Sequence, residues 1–240
     1  MIAPLPTQLD VGPRPGGRSA SKLVFSAPPR SVQPELLDGL PAESPAARAS
    51  RRDLRLLNRL LGSHAWFART IRRNGRPGER TLEIGAGGGE LGRTLQPLVS
   101  FLSGLDLIGR PAAWPDAAPW FQADVLNFRD WALFPLVLSN LFLHHFDREQ
   151  LGRIGAGLRH ARVIIACEPL RAARSRWLFA AVCPLIRAHA VTRHDGRASI
   201  AAGFRGNELP NLLRLDPAVW QWRIRETGRG AYHFVARRRS

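Results

Sequence analysis

The chain has 240 residues, enough for one α/β domain with a full core and something added to it. Its 35 basic residues against 19 acidic ones give a net charge of +16, yet Lys22 is the only lysine and the arginines are scattered, which argues against a dedicated nucleic-acid-binding block. Two cysteines, Cys167 and Cys183, exclude a disulfide framework, and the longest apolar run, Trp177 to Ile186, is too short to span a membrane.

Residues 1 to about 45 are rich in Pro, Gly, Ser and Ala. Such a segment buries too little apolar surface to offset its ordering entropy, so a mostly disordered arm is expected ahead of one domain over 46–240. The opening residues lack a charged stretch followed by an apolar one, which predicts a cytoplasmic location. From Ser50 to Arg73, Leu54, Leu57, Leu60, Leu61 and Ile71 recur at helical spacing, with Gly62 as a weak point. The opposite face carries Arg51, Arg52, Arg55, Arg59 and further arginines. It reads as a covering helix with a solvated basic face, and peripheral contact with an anionic membrane is the alternative.

The stretch Thr81 to Gly92, TLEIGAGGGELG, organises the rest. An apolar strand, Thr81–Ile84, stops at a glycine cluster and an amphipathic segment, Glu90–Leu98, follows. Glycines there let the backbone adopt positive φ and let a ligand touch the main chain. A dinucleotide fingerprint needs glycine at position 90, which is Glu90, and no Gly-Lys-Ser/Thr ending of a P-loop exists. The spacing Glu-x-Gly-x-Gly-x-Gly, written by Glu83, Gly85, Gly87 and Gly89, resembles motif I of the class I (Rossmann-like) S-adenosylmethionine-dependent methyltransferases. The resemblance implies S-adenosyl-L-methionine as cofactor, held by Glu83, Gly85, Ala86, Gly87 and Gly89. It also implies an α/β fold: a seven-stranded, mostly parallel sheet with a C-terminal antiparallel hairpin and helices on both faces.

Ser100–Leu107 reads as the second strand. Asp106 lies 17 residues beyond Gly89, where a Rossmann-type fold puts the carboxylate that holds the ribose hydroxyls. Gly109–Pro119 carries three prolines, so the helix that the family has there is not expected. Trp120–Ala123 is a short third strand leading to Asp124 and Val125, which the resemblance sets beside the adenine. N-capping of a helix at Asn127–Trp131 is the competing role for Asp124. Leu133–Leu138 is the fourth strand. It ends Ser139-Asn140-Leu141-Phe142-Leu143-His144-His145-Phe146, at the crevice where open α/β sheets bind ligands. Ser139 and Asn140 are therefore expected at the cofactor and Phe142 at the substrate. LFLHHF resembles the matching segment of the ubiquinone/menaquinone-biosynthesis methyltransferases.

Asp147–Ala161 is predicted as helix and Val163–Ala166 as the fifth strand, ending Cys167-Glu168-Pro169. A helix over Arg171–Ala190 is followed by Val191–Gly196, read as a polar turn that offers His194 and Asp195 to the substrate. Val219–Glu226 and Ala231–Ala236 alternate around Thr227–Gly230 as a hairpin.

Methyl transfer from a sulfonium is an in-line displacement whose main demand is near-attack positioning. An acidic acceptor needs at most one base, and His145, then His144, are the candidates. Phe142, Phe146, Trp66 and Trp177 are expected to line a pocket for an aromatic, quinone-like or polyketide acceptor, methylated on oxygen or carbon as in secondary metabolism. The alternative is an RNA methyltransferase working through the basic surface. The rRNA adenine dimethyltransferases carry Asn-Leu-Pro-Tyr after strand four, where an aromatic ring stacks on the flipped base. Here Asn140-Leu141-Phe142-Leu143 lacks both Pro and Tyr. The histidines show no recognisable ligand spacing, so no metal constellation is expected.

Overall fold

The computed structural model describes residues 28–41 and 43–239. The central strands form where the chain runs apolar and is buried on both faces, most fully at 136–139 and 163–169, while the edge strand at 120–122 is only partly covered. These are β1 (Arg80–Ile84), β2 (Phe101–Asp106), β3 (Trp120–Gln122), β4 (Leu136–Asn140) and β5 (Val163–Pro169). Two longer strands, β6 (Trp220–Glu226) and β7 (Ala231–Arg238), form the expected hairpin. All seven make one sheet in the order β3-β2-β1-β4-β5-β7-β6. Pairing from β3 through β5 is parallel, and β7 runs antiparallel to both β5 and β6. The strand order reverses between β1 and β4, whose Ile84 and Ser139 are paired, so a crevice opens beyond their carboxyl ends.

Alternate residues of the sheet feed two cores. On one face Leu136, Leu138, Val163 and Ile165 pack with Phe67 and Ile71 of α2 (Ser63–Asn74) and Leu91 and Leu95 of α3 (Glu90–Leu95). On the other, Leu82, Val137 and Ile164 pack with Leu151 and Ile154 of α4 (Arg148–Leu158), with Leu209 of the short α7 (Glu208–Leu212), and with Phe204 and Tyr232. Burying each such side chain contributes about 1.5–3 kcal/mol.

The expected helix over 50–73 is two helices, α1 (Pro45–Leu61) and α2, divided at Gly62 with φ of 70°. It starts earlier than expected because Ser44 accepts the Ala47 N–H and Pro45 suits the first turn. Buried Asp53 ties α1 to α6 (Ala190–Ala202) by accepting from the His189 N–H at 2.8 Å and the Thr192 hydroxyl at 2.9 Å. Val191–Gly196, expected as a polar turn, is therefore the first half of a helix. Its Gly196 is a packing residue: a Cβ there would come within 2.1 Å of Phe179 in α5 (Ala173–Leu185). The fourth strand starts at Leu136, not Leu133, because Asp130–Leu133 winds into a 3-10 turn ahead of Pro135.

Gly109–Pro119 holds no helix, and Trp114 fills the place of one. A Cβ on Gly92 would lie 2.1 Å from its ring, and one on Gly104 would lie 2.9 Å from it. Among the described residues no helix is long and apolar enough to cross a membrane.

Residues 1–27 of the expected arm lie outside the described residues. Residues 28–41 follow the domain surface and are held by polar contacts. Arg171 donates to the Pro28 carbonyl. The Leu36 and Leu37 N–H groups donate to the two oxygens of Asp195 at 2.8 and 3.0 Å. Composition measures apolar burial, and so it gives no sign of such anchoring.

Candidate cofactor and acceptor site

The chain leaves β1 through three glycines in the left-handed region: Gly85, Gly87 and Gly89 have φ of 65°, 51° and 78°. Side chains are strained there, which explains the residue type. The N–H groups of Gly85 and Ala86 donate to the Leu105 carbonyl at 2.9 and 3.3 Å, and Gly89 begins α3. Gly87 differs from its neighbours. Its N–H donates to Asp106 Oδ2 at 2.8 Å, and a Cβ on it would meet nothing within 4 Å. The turn thus presents bare backbone to open space beside a carboxylate at the end of β2.

Glu83 lies under this turn at 2% exposure, and its Oε2 has no hydrogen-bond partner among the described residues. Burial, with the charges of Glu90 and Asp106 added, holds its carboxyl well above the usual carboxylate range. Across the crevice the Asn140 Oδ1 is also buried and unpartnered among the described residues. An unmet buried polar group costs about 1–3 kcal/mol. Both residues lie near the carboxyl ends of the adjacent strands β1 and β4.

The remaining cofactor candidates divide. Ser139 donates to Glu168 Oε1 at 3.2 Å, so its hydroxyl is already engaged. Asp124 does not cap a helix. It folds back on its own turn, accepting from the Leu126 N–H at 2.9 Å and the Asn127 side chain at 3.2 Å. Val125 and Ala86 are buried.

After β4, Leu141 takes φ of 54° and Leu143–His145 form a 3-10 turn. Glu168, at the end of β5, fixes that turn. Its Oε1 accepts the Phe142 and Leu143 N–H groups at 3.2 and 2.9 Å, and its Oε2 lies 2.8 Å from His144 Nδ1. Phe142 is laid on the glycine turn, where a Cβ on Gly85 would come within 2.1 Å of its ring. It also meets Phe146 edge to face at 4.9 Å.

The two histidines have different surroundings. His144 is buried with a carboxylate at each ring nitrogen: Glu168 at Nδ1 and Glu35 Oε1 3.5 Å from Nε2. Burial alone would lower its pKa, but the hydrogen bonds and charges of Glu168 and Glu35 outweigh it and raise the value to about 9. His145 is partly exposed, 6.5 Å from the Phe142 ring and 4.3 Å from the His144 ring. Burial and the neighbouring His144 lower its pKa. Its Nδ1 lies 4.0 Å from Asp38 Oδ2.

Glu35 and Asp38 come from the segment expected as a disordered arm. Arg30 pins that segment to the histidine turn, donating to the His144 and Phe146 carbonyls at 2.8 and 2.9 Å. Sequence spacing shows no metal-ligand pattern, yet Glu35, His144 and His145 bring one donor atom each within 4.8 Å of one another. Glu35 lies too far along the chain for any spacing rule to find it.

His194 stands elsewhere. It sits on α6 with Nδ1 3.0 Å from Asp195 Oδ1, and lines a surface cavity of about 410 Å³ with Gln33, Arg193 and Arg197. No residue of the glycine turn or the histidine turn lines that cavity. Of the four aromatic residues expected around the acceptor, Phe142 and Phe146 meet each other beside the glycine turn. Trp66 is stacked on His233 at 4.0 Å, and Trp177 is 77% exposed on α5.

No protein-family model matches the sequence, and no curated protein matches it. Solved structures do. The plantazolicin methyltransferase BpumL, in complex with a triazolic desmethylPZN analog and S-adenosylhomocysteine, covers 85% of this chain and 93% of its own with a TM-score of 0.64 at 13% identity. This chain has the class I methyltransferase fold. The plantazolicin methyltransferase BamL matches similarly, with a TM-score of 0.64 at 10% identity over 84% of this chain and 92% of its own. A structure described as conversion of a disulfide bond into a thioacetal group during echinomycin biosynthesis matches at 20% identity, with a TM-score of 0.51 over 71% and 80%.

Proposed function

We propose that the protein transfers a methyl group from S-adenosylmethionine to a small-molecule acceptor, an aromatic, quinone-like or polyketide compound methylated on oxygen or carbon. The observation that carries this reading is the open backbone at Gly87 between the unpartnered Glu83 Oε2 and the Asp106 carboxylate. That donor set fits the cofactor. Glu83 meets the cationic methionine end, the Gly85–Gly89 backbone follows the ligand, and Asp106 takes the ribose hydroxyls. Asn140 supplies an acceptor at the same crevice, and Asp124 and Val125 border the adenine. When bound, the cofactor supplies an electrophilic methyl on sulfur. The chain's part is then to orient the acceptor and exclude water.

The acceptor enters beside Phe142 and Phe146, with its ionisable group against His145. His144 is less suited to that contact because both of its ring nitrogens face carboxylates. The likeness of LFLHHF to the quinone-biosynthesis methyltransferases and the desmethylPZN analogs of the plantazolicin enzymes support a small acceptor. RNA is disfavoured, because Asn140-Leu141-Phe142-Leu143 lacks the Pro and Tyr with which the adenine methylators hold a flipped base. Contact with an anionic membrane is a lesser part of this reading, supported by exposed Trp177 and Leu185 on the arginine-bearing α5. Vesicle sedimentation tests it.

The main test is transfer of radiolabelled methyl to a panel of phenols, hydroxyquinones and total RNA. Incorporation into phenols or hydroxyquinones is expected. Robust incorporation into RNA alone would reverse the reading.

A further inference from the structure

We propose that Glu35, His144 and His145 form a binding site for a divalent first-row transition-metal ion. The three offer one donor atom each within 4.8 Å of one another. Around a tetrahedral ion with bonds of ~2.05 Å the donors stand about 3.4 Å apart. Glu35 Oε1 and His144 Nε2, at 3.5 Å, already have that separation. His145, partly exposed at the edge of the turn, closes the set by a side-chain rotation.

The surroundings are those of a ligand set. His144 Nδ1 donates to Glu168, which leaves Nε2 as the nitrogen aimed at Glu35. Metal-binding histidines are oriented in this way, by a carboxylate on the other ring nitrogen. Glu168 is itself fixed by the backbone N–H groups of Phe142 and Leu143, so the ligand is held by the sheet and not by a mobile side chain.

Charge points the same way. In a chain with 35 basic and 19 acidic residues, the carboxylates of Glu35, Asp38 and Glu168 gather at one pair of imidazoles. Asp38, 4.0 Å from His145 Nδ1, stands at the rim as a further oxygen donor. Two imidazoles with carboxylates suit zinc, manganese or iron better than magnesium or calcium, which take oxygen donors. An ion there would take the place of the proton between Nε2 and Glu35. On the methyl-transfer reading, on which this role alone rests, an ion held by Glu35, His144 and His145 would lower the pKa of an acceptor hydroxyl beside Phe142, whose proton would then pass to solvent water instead of to His145.

The test is direct binding. The full chain, stripped with a chelator and dialysed, is titrated with zinc chloride by calorimetry. One equivalent per chain is expected. Glu35→Gln and His145→Gln should each weaken binding tenfold or more, while His194→Ala leaves it unchanged. Circular dichroism of each variant checks that it is folded, and the isosteric Glu35→Gln keeps the arm's shape. No zinc uptake by the unaltered chain, or equal uptake in the folded Glu35→Gln variant, overturns the site. Titration with S-adenosylhomocysteine in parallel separates the two proposals. Cofactor binding without zinc overturns the ion alone, and zinc binding without cofactor overturns the methyltransferase reading alone.

Discussion

Asp106 holds the glycine turn from the neighbouring strand: its Oδ2 accepts the Gly87 N–H at 2.8 Å while its Oδ1 takes the Ile108 N–H at 3.2 Å. One carboxylate thus orders the turn and borders the open space above it. Asp106→Ala should weaken S-adenosylhomocysteine binding about 10- to 150-fold, the equivalent of ~1.5–3 kcal/mol for a hydrogen bond to a charged group. Calorimetry measures it, and an unchanged dissociation constant would move the ribose contact elsewhere.

Gly85 and Gly87 separate packing from binding. A Cβ at Gly85 would strike the Phe142 ring at 2.1 Å, whereas one at Gly87 would meet nothing. Both substitutions to alanine cost on the order of 1–2 kcal/mol for the left-handed backbone. Gly85→Ala must also displace Phe142. The expected outcome is a larger fall in melting temperature for Gly85→Ala and loss of cofactor affinity in both. A folded Gly87→Ala variant with wild-type affinity would remove the turn from the site.

Glu83→Gln should stabilise the empty protein and weaken its cofactor binding. The carboxyl's pKa is raised on folding, so ionisation favours the unfolded chain. The cost is absent below the ordinary carboxylate range and grows with pH up to the raised value. Melting curves should coincide near pH 4 and show the variant more stable at pH 7.5. The opposite order at pH 7.5 would contradict the burial of an unpaired acid.

His233 predicts an acid limb of stability. It is buried on Trp66 with neither ring nitrogen partnered among the described residues, and burial with the charges of Arg225 and Arg69 lowers its pKa to about 4. The unfolded histidine takes up a proton near pH ~6.5. Stability is therefore lost as pH falls from there towards 4. His233→Phe keeps the stacked ring and removes the proton site. Its melting temperature should fall less between pH 7 and 5 than that of the unaltered chain, and identical slopes would count against this account.

The histidine turn gives a contrast between neighbours. His145→Ala should slow methyl transfer on the order of 10²-fold or more with cofactor affinity kept. His144→Ala should first lower the melting temperature, since Glu168 and Glu35 converge on that ring. Turnover and melting measured on both variants decide it, and two variants with equal stability and full turnover would clear both residues of a role.

The strands and the glycine turn were legible because their causes are local. Val163–Ala166 is buried at every position, so it reads as an unbroken apolar run, and positive φ at Gly85, Gly87 and Gly89 leaves its mark in residue type. The start of α6 was not legible. Its polar residues Thr192 and Asp195 are buried against Asp53 and against the Leu36 and Leu37 N–H groups, partners far away in sequence. His189 caps its first turn in place of a commoner capping residue. Glu35 was missed for the same reason, since its setting is made by Ser199 and His144.

Arg30 donates at once to the carbonyls of Ala202, His144 and Phe146, and lies over the Phe204 ring at 4.7 Å. This bears on where a working fragment of the protein can be cut. A version trimmed to start at Pro45 would keep every strand, the glycine turn and both histidines. It would also discard Arg30, Glu35 and Asp38, leaving the histidine turn stripped of the segment that packs on it.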